Sequence, residues 1–160
     1  MWSLMTTLAM VGTIVAADLY VIHPHSLARK FDFNRNTYKG ALQASLSHYG
    51  TFDKQSVFMG RVHYPLLNTD GCNPFEESDF DEQHLKETSM DGHKLIIMVD
   101  SGNCHFVQKV QNIEKFGGIM AIIIDEDTTV DSLDMKDDGA GASIRIPSFL
   151  LASRDGEEMK

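Results

Sequence analysis

Two cysteines, Cys72 and Cys104, and seven histidines are the residues best equipped for chemistry in this 160-residue chain. A thiolate could act as a nucleophile, cysteine and histidine together could bind zinc, and two thiols could close a bridge. The histidines show no H-x-x-x-H or C-x-x-C spacing. His23 and His25 are two apart, and His63, His84, His93 and His105 are scattered, so the sequence predicts no metal site. There is no G-x-S-x-G elbow, H-E-x-x-H or P-loop. Gly117-Gly118 closes an apolar-periodic segment rather than opening one, unlike a dinucleotide fingerprint. No catalytic residue and no cofactor is expected, and the chain is read as a non-enzyme. The acidic stretches, Glu76 to Glu82 and Asp125 to Asp138, read as solvated surface loops. The first lacks the alternating ligands and the glycine of an EF-hand.

The compartment decides between the cysteine readings. Residues 1–17 have an uncharged apolar run from Leu4 to Val15 and end in Val15-Ala16-Ala17, with small residues at −1 and −3 of a cut before Asp18. That is a signal-peptide pattern. The run is shorter than the roughly 20 residues of a membrane span, and any membrane attachment would need a segment outside this sequence. Residues 18–160 are expected to form one domain in the lumen of the secretory pathway. There an oxidising environment lets two cysteines pair, with a reactive thiol as the sharper alternative. The net charge of −9 argues against nucleic acid and anionic membrane surfaces as partners.

The elements that must position Cys104 are legible. "KLIIMV" reads as a strand buried on both faces. Phe106, Val110, Ile113 and Phe116 follow at helical spacing, with Ser101 or Asn103 as N-cap and Gly117-Gly118 as stop. "IMAIII" returns as a second buried strand, which makes one parallel βαβ unit. "DLYVIH", "SVFMGRVHYP" and "SIRIPSFLL" read as strands, "ALQASLSHYG" as a strand or a helical turn, and residues 66–93 as loop-rich, with a turn at Asn68-Thr69-Asp70-Gly71. The strands ahead of the βαβ unit read as an antiparallel barrel or sandwich. The class is therefore α/β and β-rich. Loop 101–106 lies at the end of a buried strand and the start of a helix, where free N–H groups favour an anionic or carbonyl-rich partner.

The stretch "LIIMVDSGNCHFVQKVQNIEKFGGIMAIIIDED…IRIPSFLLASRDGEEMK" resembles a protease-associated domain. That family carries an apolar strand, R-G-x-C-x-F, a K-x-x-x-A-x-x-x-G-A helix, a second strand and an I-P segment before a glycine-containing helix. Gly102, Cys104, Phe106, Lys109, Gly117, Ile146, Pro147 and Gly156 occupy the matching positions. Lys39-Gly40, His48-Tyr49-Gly50, Gly60-Arg61-Val62-His63-Tyr64-Pro65 and Cys72 follow the order found in the N-terminal luminal part of vacuolar sorting receptors. The resemblance implies a β-barrel or sandwich with flanking helices and a Cys72–Cys104 bridge. It also implies a non-catalytic role in binding sorting peptides of soluble cargo proteins, in the lumen of Golgi, endosome or vacuole. Carried over, the peptide-binding residues are Ser101, Gly102, Asn103, Cys104, His105 and Phe106, with His48 and Tyr49 as an adjoining edge. Ser101 stands where the family has arginine, which removes a bidentate cationic donor. His105 offers a substitute whose charge responds to luminal pH. Two other settings for such a domain are the luminal part of a membrane-anchored RING-type ubiquitin ligase and an accessory domain of a secreted or vacuolar peptidase.

Overall fold

A computed structural model of the chain describes residues 19–31, 40–42, 44–53, 56–126, 135 and 137–160. The expected signal peptide, the polar segment 32–39 and most of the acidic 125–138 loop lie outside the described residues.

Strand β1 (Leu19–Tyr20), helix α1 (His25–Ala28), β2 (Ala41–Leu42), β3 (Ala44–Leu46) and β4 (Arg61–His63) lead into α2 (Glu82–Met90). Then follow β5 (Leu95–Asp100), α3 (Phe106–Phe116), β6 (Met120–Ile124), β7 (Ser148–Leu151) and α4 (Ser153–Glu157). Strands β1 and β2 form an antiparallel pair, and the others form a five-stranded sheet in the order β3-β7-β6-β5-β4. The mixed α/β class with flanking helices holds.

The apolar runs of β5 and β6 are explained by burial from both sides. Ile97, Val99, Ala121, Ile123 and Leu150 face one core, which Val107, Val110 and Ile113 of α3 and Leu85 of α2 complete. Ile96, Met98, Met120, Ile122, Ile124, Phe149 and Leu151 face a second core, closed by Phe31, Leu42, Val21 and Met159. With no solvent-facing side, these strands have no need of polar alternation. Helix α3 stops where glycine permits it: Gly117 adopts φ 105°, and Gly118 N–H donates to the Ile113 carbonyl at 3.0 Å, closing the helix end as a six-to-one turn.

Three expectations are corrected. Segment 66–93 contains α2 and a 3-10 turn at Glu77–Asp79; α2 is so polar, with Leu85 and Thr88 as its inward side chains, that it lacks an apolar stripe. Because α2 is a crossover, β4 pairs with β5 in parallel, with Val62 beside Ile96. A second strand–helix–strand unit replaces the antiparallel arrangement expected there. Finally, the N-cap of α3 is His105, with no side-chain cap bond, because the left-handed turn at Gly102-Asn103 delays the helix to Phe106, beyond either expected cap.

Candidate functional site: a loop pinned at the end of the sheet

The parallel strands end together, and the chain turns there. Asp100 N–H donates to the Thr69 carbonyl and Ser101 N–H to the Ile124 carbonyl, both at 2.9 Å. Strand pairing then stops. Gly102 (φ 84°) and Asn103 (φ 61°) are successive left-handed residues, a conformation glycine and asparagine accept more readily than other types. Cys104 N–H closes the turn on the Gly102 carbonyl at 2.8 Å. Gly102 is also a close approach: a Cβ there would lie 2.9 Å from Glu126 Oε1. Gly102, Asn103 and His105 are exposed, while Ser101, Cys104 and Phe106 are half-buried, and Phe106 packs its ring against the α3-side core.

A second loop, 68–73, holds the first. Asn68 donates its amide to the Asn73 carbonyl at 2.9 Å and accepts from Asn73 N–H at 3.2 Å. The Asp70 carboxylate accepts from Cys72 N–H at 3.0 Å and from the Asn103 amide at 2.8 Å. A disulfide joins Cys72 to Cys104, with their Cα atoms 5.8 Å apart. Helix α3 supplies the remaining fasteners: Gln108 donates to the Cys72 carbonyl at 2.8 Å and Asn112 to the Gly71 carbonyl at 2.9 Å.

Between the two loops lies Lys109, whose side chain is wholly buried. Its ammonium donates to the Asp70 carbonyl at 2.5 Å and the Gly102 carbonyl at 2.7 Å, and lies 3.4 Å from Cys72 Sγ. Burial pulls its pKa down, and the negative charges of Asp70, Asp100 and Glu126 oppose that pull. Asp70 responds in the complementary sense. The Cys72 N–H and then the Asn103 amide hold its carboxyl below the ordinary carboxylate range. Beside this cluster, Tyr64 donates its hydroxyl to Asp100 at 2.5 Å, and Lys160 reaches the other Asp100 oxygen at 2.7 Å. The end of β5 is thereby fixed on both sides.

The first turn of α3 is left without a side-chain cap. Its N–H groups have no intrahelical acceptor by the geometry of a helix start, and they open beside the exposed Gly102–Asn103 turn. The arrangement can present donors to carbonyl or carboxylate oxygens, with Phe106 as a partly accessible apolar neighbour. Among the described residues, no three His, Cys, Asp or Glu side chains converge as a metal site would require.

The structure thus gathers Ser101, Gly102, Asn103, Cys104, His105 and Phe106 into one loop with Cys72 behind it. It does not bring His48 and Tyr49 to them. Strand β3 runs antiparallel to β7, with Leu46 beside Phe149, so the chain leaves β3 at the opposite end of the sheet from loop 101–106. Tyr49 is buried in the core there, its hydroxyl 3.4 Å from Met135 Sδ, and burial pushes its pKa up to about 12. His48 is exposed at that far end. Sequence reasoning placed Lys109 at a family-matching position without giving it a role, and missed the anchoring side chains Asp70, Gln108 and Asn112. The available signal was three polar residues interleaved with the apolar face of α3.

Comparison with known proteins adds three findings. The sequence profile of the PA domain matches residues 58–159. Vacuolar-sorting receptor 1 of Pisum sativum is 26% identical over 128 residues, covering 76% of this chain and 19% of that protein. Vacuolar-sorting receptors 4 and 3 of Arabidopsis thaliana are 28% and 27% identical over the same length, covering 76% of this chain and 20% of each of theirs. The chain therefore spans about a fifth of the length of the curated relatives it matches.

Proposed function

Because this chain belongs to the PA domain family, we propose that it is a non-catalytic luminal module of a vacuolar (lysosomal) cargo-sorting receptor. It recognises sorting peptides of soluble cargo proteins through Ser101–Phe106. Similarity to plant vacuolar-sorting receptors supports the setting. A disulfide between Cys72 and Cys104 suits an oxidising lumen.

The observation that carries the reading is the prior immobilisation of the loop. A flexible loop must be ordered when it binds, which subtracts from affinity. This loop is already held by a covalent bond, by the Lys109 ammonium and by the Asn103–Asp70 hydrogen bond. The uncapped start of α3 and the exposed turn present N–H donors suited to peptide carbonyls or an acidic side chain. Ser101 replaces a long cation with a short hydroxyl. The grip on peptide then rests more on backbone donors, on Phe106 and on His105 than on an ion pair.

Affinity capture of luminal proteins, followed by titration of peptides cut from the captured proteins, tests the proposal. The wild-type chain is expected to retain a defined set whose peptides bind less tightly to Phe106→Ala. Ser101→Arg is expected to strengthen binding of acidic peptides in a salt-dependent way. Empty captures by both wild type and Ser101→Arg would overturn it.

A further inference from the structure

The surroundings of the two sulfurs are unlike. Both cysteines are half-buried beside exposed neighbours, Asn103 and His105 for Cys104 and Asn73 and Pro74 for Cys72, so charge rather than access separates them. Cys72 is backed by Lys109, whose wholly buried ammonium lies 3.4 Å from its Sγ. A thiolate is a better leaving group the lower its pKa, and an adjacent cation lowers it. The geometry points to a polarised thiol-exchange site, in which an incoming thiolate attacks Cys104 Sγ and Cys72 leaves as a thiolate against Lys109.

Electrons and protons balance with a dithiol as reductant. Its first thiolate bonds to Cys104 Sγ, and the electron pair of the Cys72–Cys104 bond passes to Cys72 Sγ. Its second thiolate then attacks the external sulfur of the mixed disulfide. That step releases Cys104 thiolate, which takes a proton from water, and the reductant departs as its own disulfide.

Two features compete with this polarity, and both are weaker. The helix N-terminus favours a thiolate on Cys104, one residue ahead of the N-cap His105, but it carries about half an elementary charge against the full charge of Lys109 at 3.4 Å from Cys72 Sγ. The Asp70 and Gly102 carbonyls approach Cys72 Sγ at 3.9 and 3.8 Å. Both, however, are bonded to the Lys109 ammonium at shorter range. Among the described residues, the other charged or titratable groups around the site are the Asp70 carboxylate on the Cys72 loop, Asp100 at the end of β5 with Tyr64 and Lys160 bonded to it, Glu126 after β6 and His105 beside Cys104. Lys109 makes the direct contact. Opening the bond would release Cys104 while the Lys109–Gly102 hydrogen bond stayed in place, loosening one side of the turn. None of this depends on what the loop binds.

The test uses the wild-type chain with limiting glutathione, quenched early with iodoacetamide and mapped by mass spectrometry. Glutathione is expected on Cys104 and the alkyl group on Cys72, in at least roughly tenfold excess over the reverse pattern. Glutathione on Cys72, or equal sharing, overturns the assignment. In addition, Lys109→Met is expected to slow reduction by dithiothreitol roughly tenfold while Lys109→Arg restores the rate. An unchanged rate in a Lys109→Met chain with wild-type circular dichroism also overturns it. If Lys109→Met does not fold, the glutathione map on the wild type decides alone.

Discussion

Asn103 donates its side-chain amide to the Asp70 carboxylate at 2.8 Å, bridging the two loops that the disulfide also joins. Asn103 therefore has two duties: it tolerates a left-handed backbone, φ 61°, and it closes this bridge. Asn103→Ala loses both, and is expected to cost about 1–2 kcal/mol in urea denaturation. Asn103→Gly keeps the backbone and loses only the bridge, so it should cost less. Equal costs would show that the bridge alone matters.

The disulfide closes a loop with a sequence separation of 32. Replacing both cysteines by serine is expected to lower stability by roughly 3–4 kcal/mol. Far-UV circular dichroism below the unfolding transition should be retained, because the packing of α3 on β5 and β6 does not involve the bond.

His63 ties stability to pH. It is buried with Nε2 at 2.8 Å from Thr88 Oγ1. The Thr88 hydroxyl already donates to the His84 carbonyl, so Nε2 is the donor in this pair. Burial, with His84 and Arg61 adding positive charge and Asp81 opposing them, lowers its pKa from 6.5. A depressed folded value means that stability is full above pH 6.5 and declines as pH falls through the lowered pKa. Thermal unfolding from pH 8 to pH 5 should show this decline. His63→Gln should flatten that slope while lowering stability at pH 7 by about 1–2 kcal/mol.

Gly117 and Gly156 should respond differently to alanine. Gly117 has φ 105° with nothing within 4 Å of a built Cβ, so the cost is conformational alone, about 1 kcal/mol. At Gly156 a Cβ would lie 2.5 Å from Ile124 Cγ2 and 2.7 Å from Cγ1. Helix α4 would have to lift from the end of β6, at roughly 2–3 kcal/mol. Chemical denaturation of the two variants checks the ranking.

The half of the chain from β5 onward was legible because burial there is total and periodic. Ile96 to Val99 and Met120 to Ile124 are apolar throughout, and α3 places Val110 and Ile113 at helical spacing. Helix α2 was hidden because Glu82 to Met90 contributes little apolar surface to the core. Missing it also hid the direction of β4, since strand direction depends on whether a hairpin or a crossover intervenes. In the site, the loop could be read from its sequence neighbours. Its anchors could not: whether Lys109 lies in solvent or between two loops depends on where residues 70–72 return, a contact across more than thirty residues. Tyr49 was misplaced for a similar reason, since the antiparallel β3–β7 pairing decides which end of the sheet it reaches.

The bond between Cys72 and Cys104 encloses α2 and β5 within one covalent ring. A protease cutting the exposed surface of α2, for instance after Lys86, would open the ring without dividing the molecule, because both pieces remain joined through sulfur. A nicked chain would keep its mass on a non-reducing gel and separate only after reduction. The same bond that shapes the loop thus also provides proteolytic tolerance.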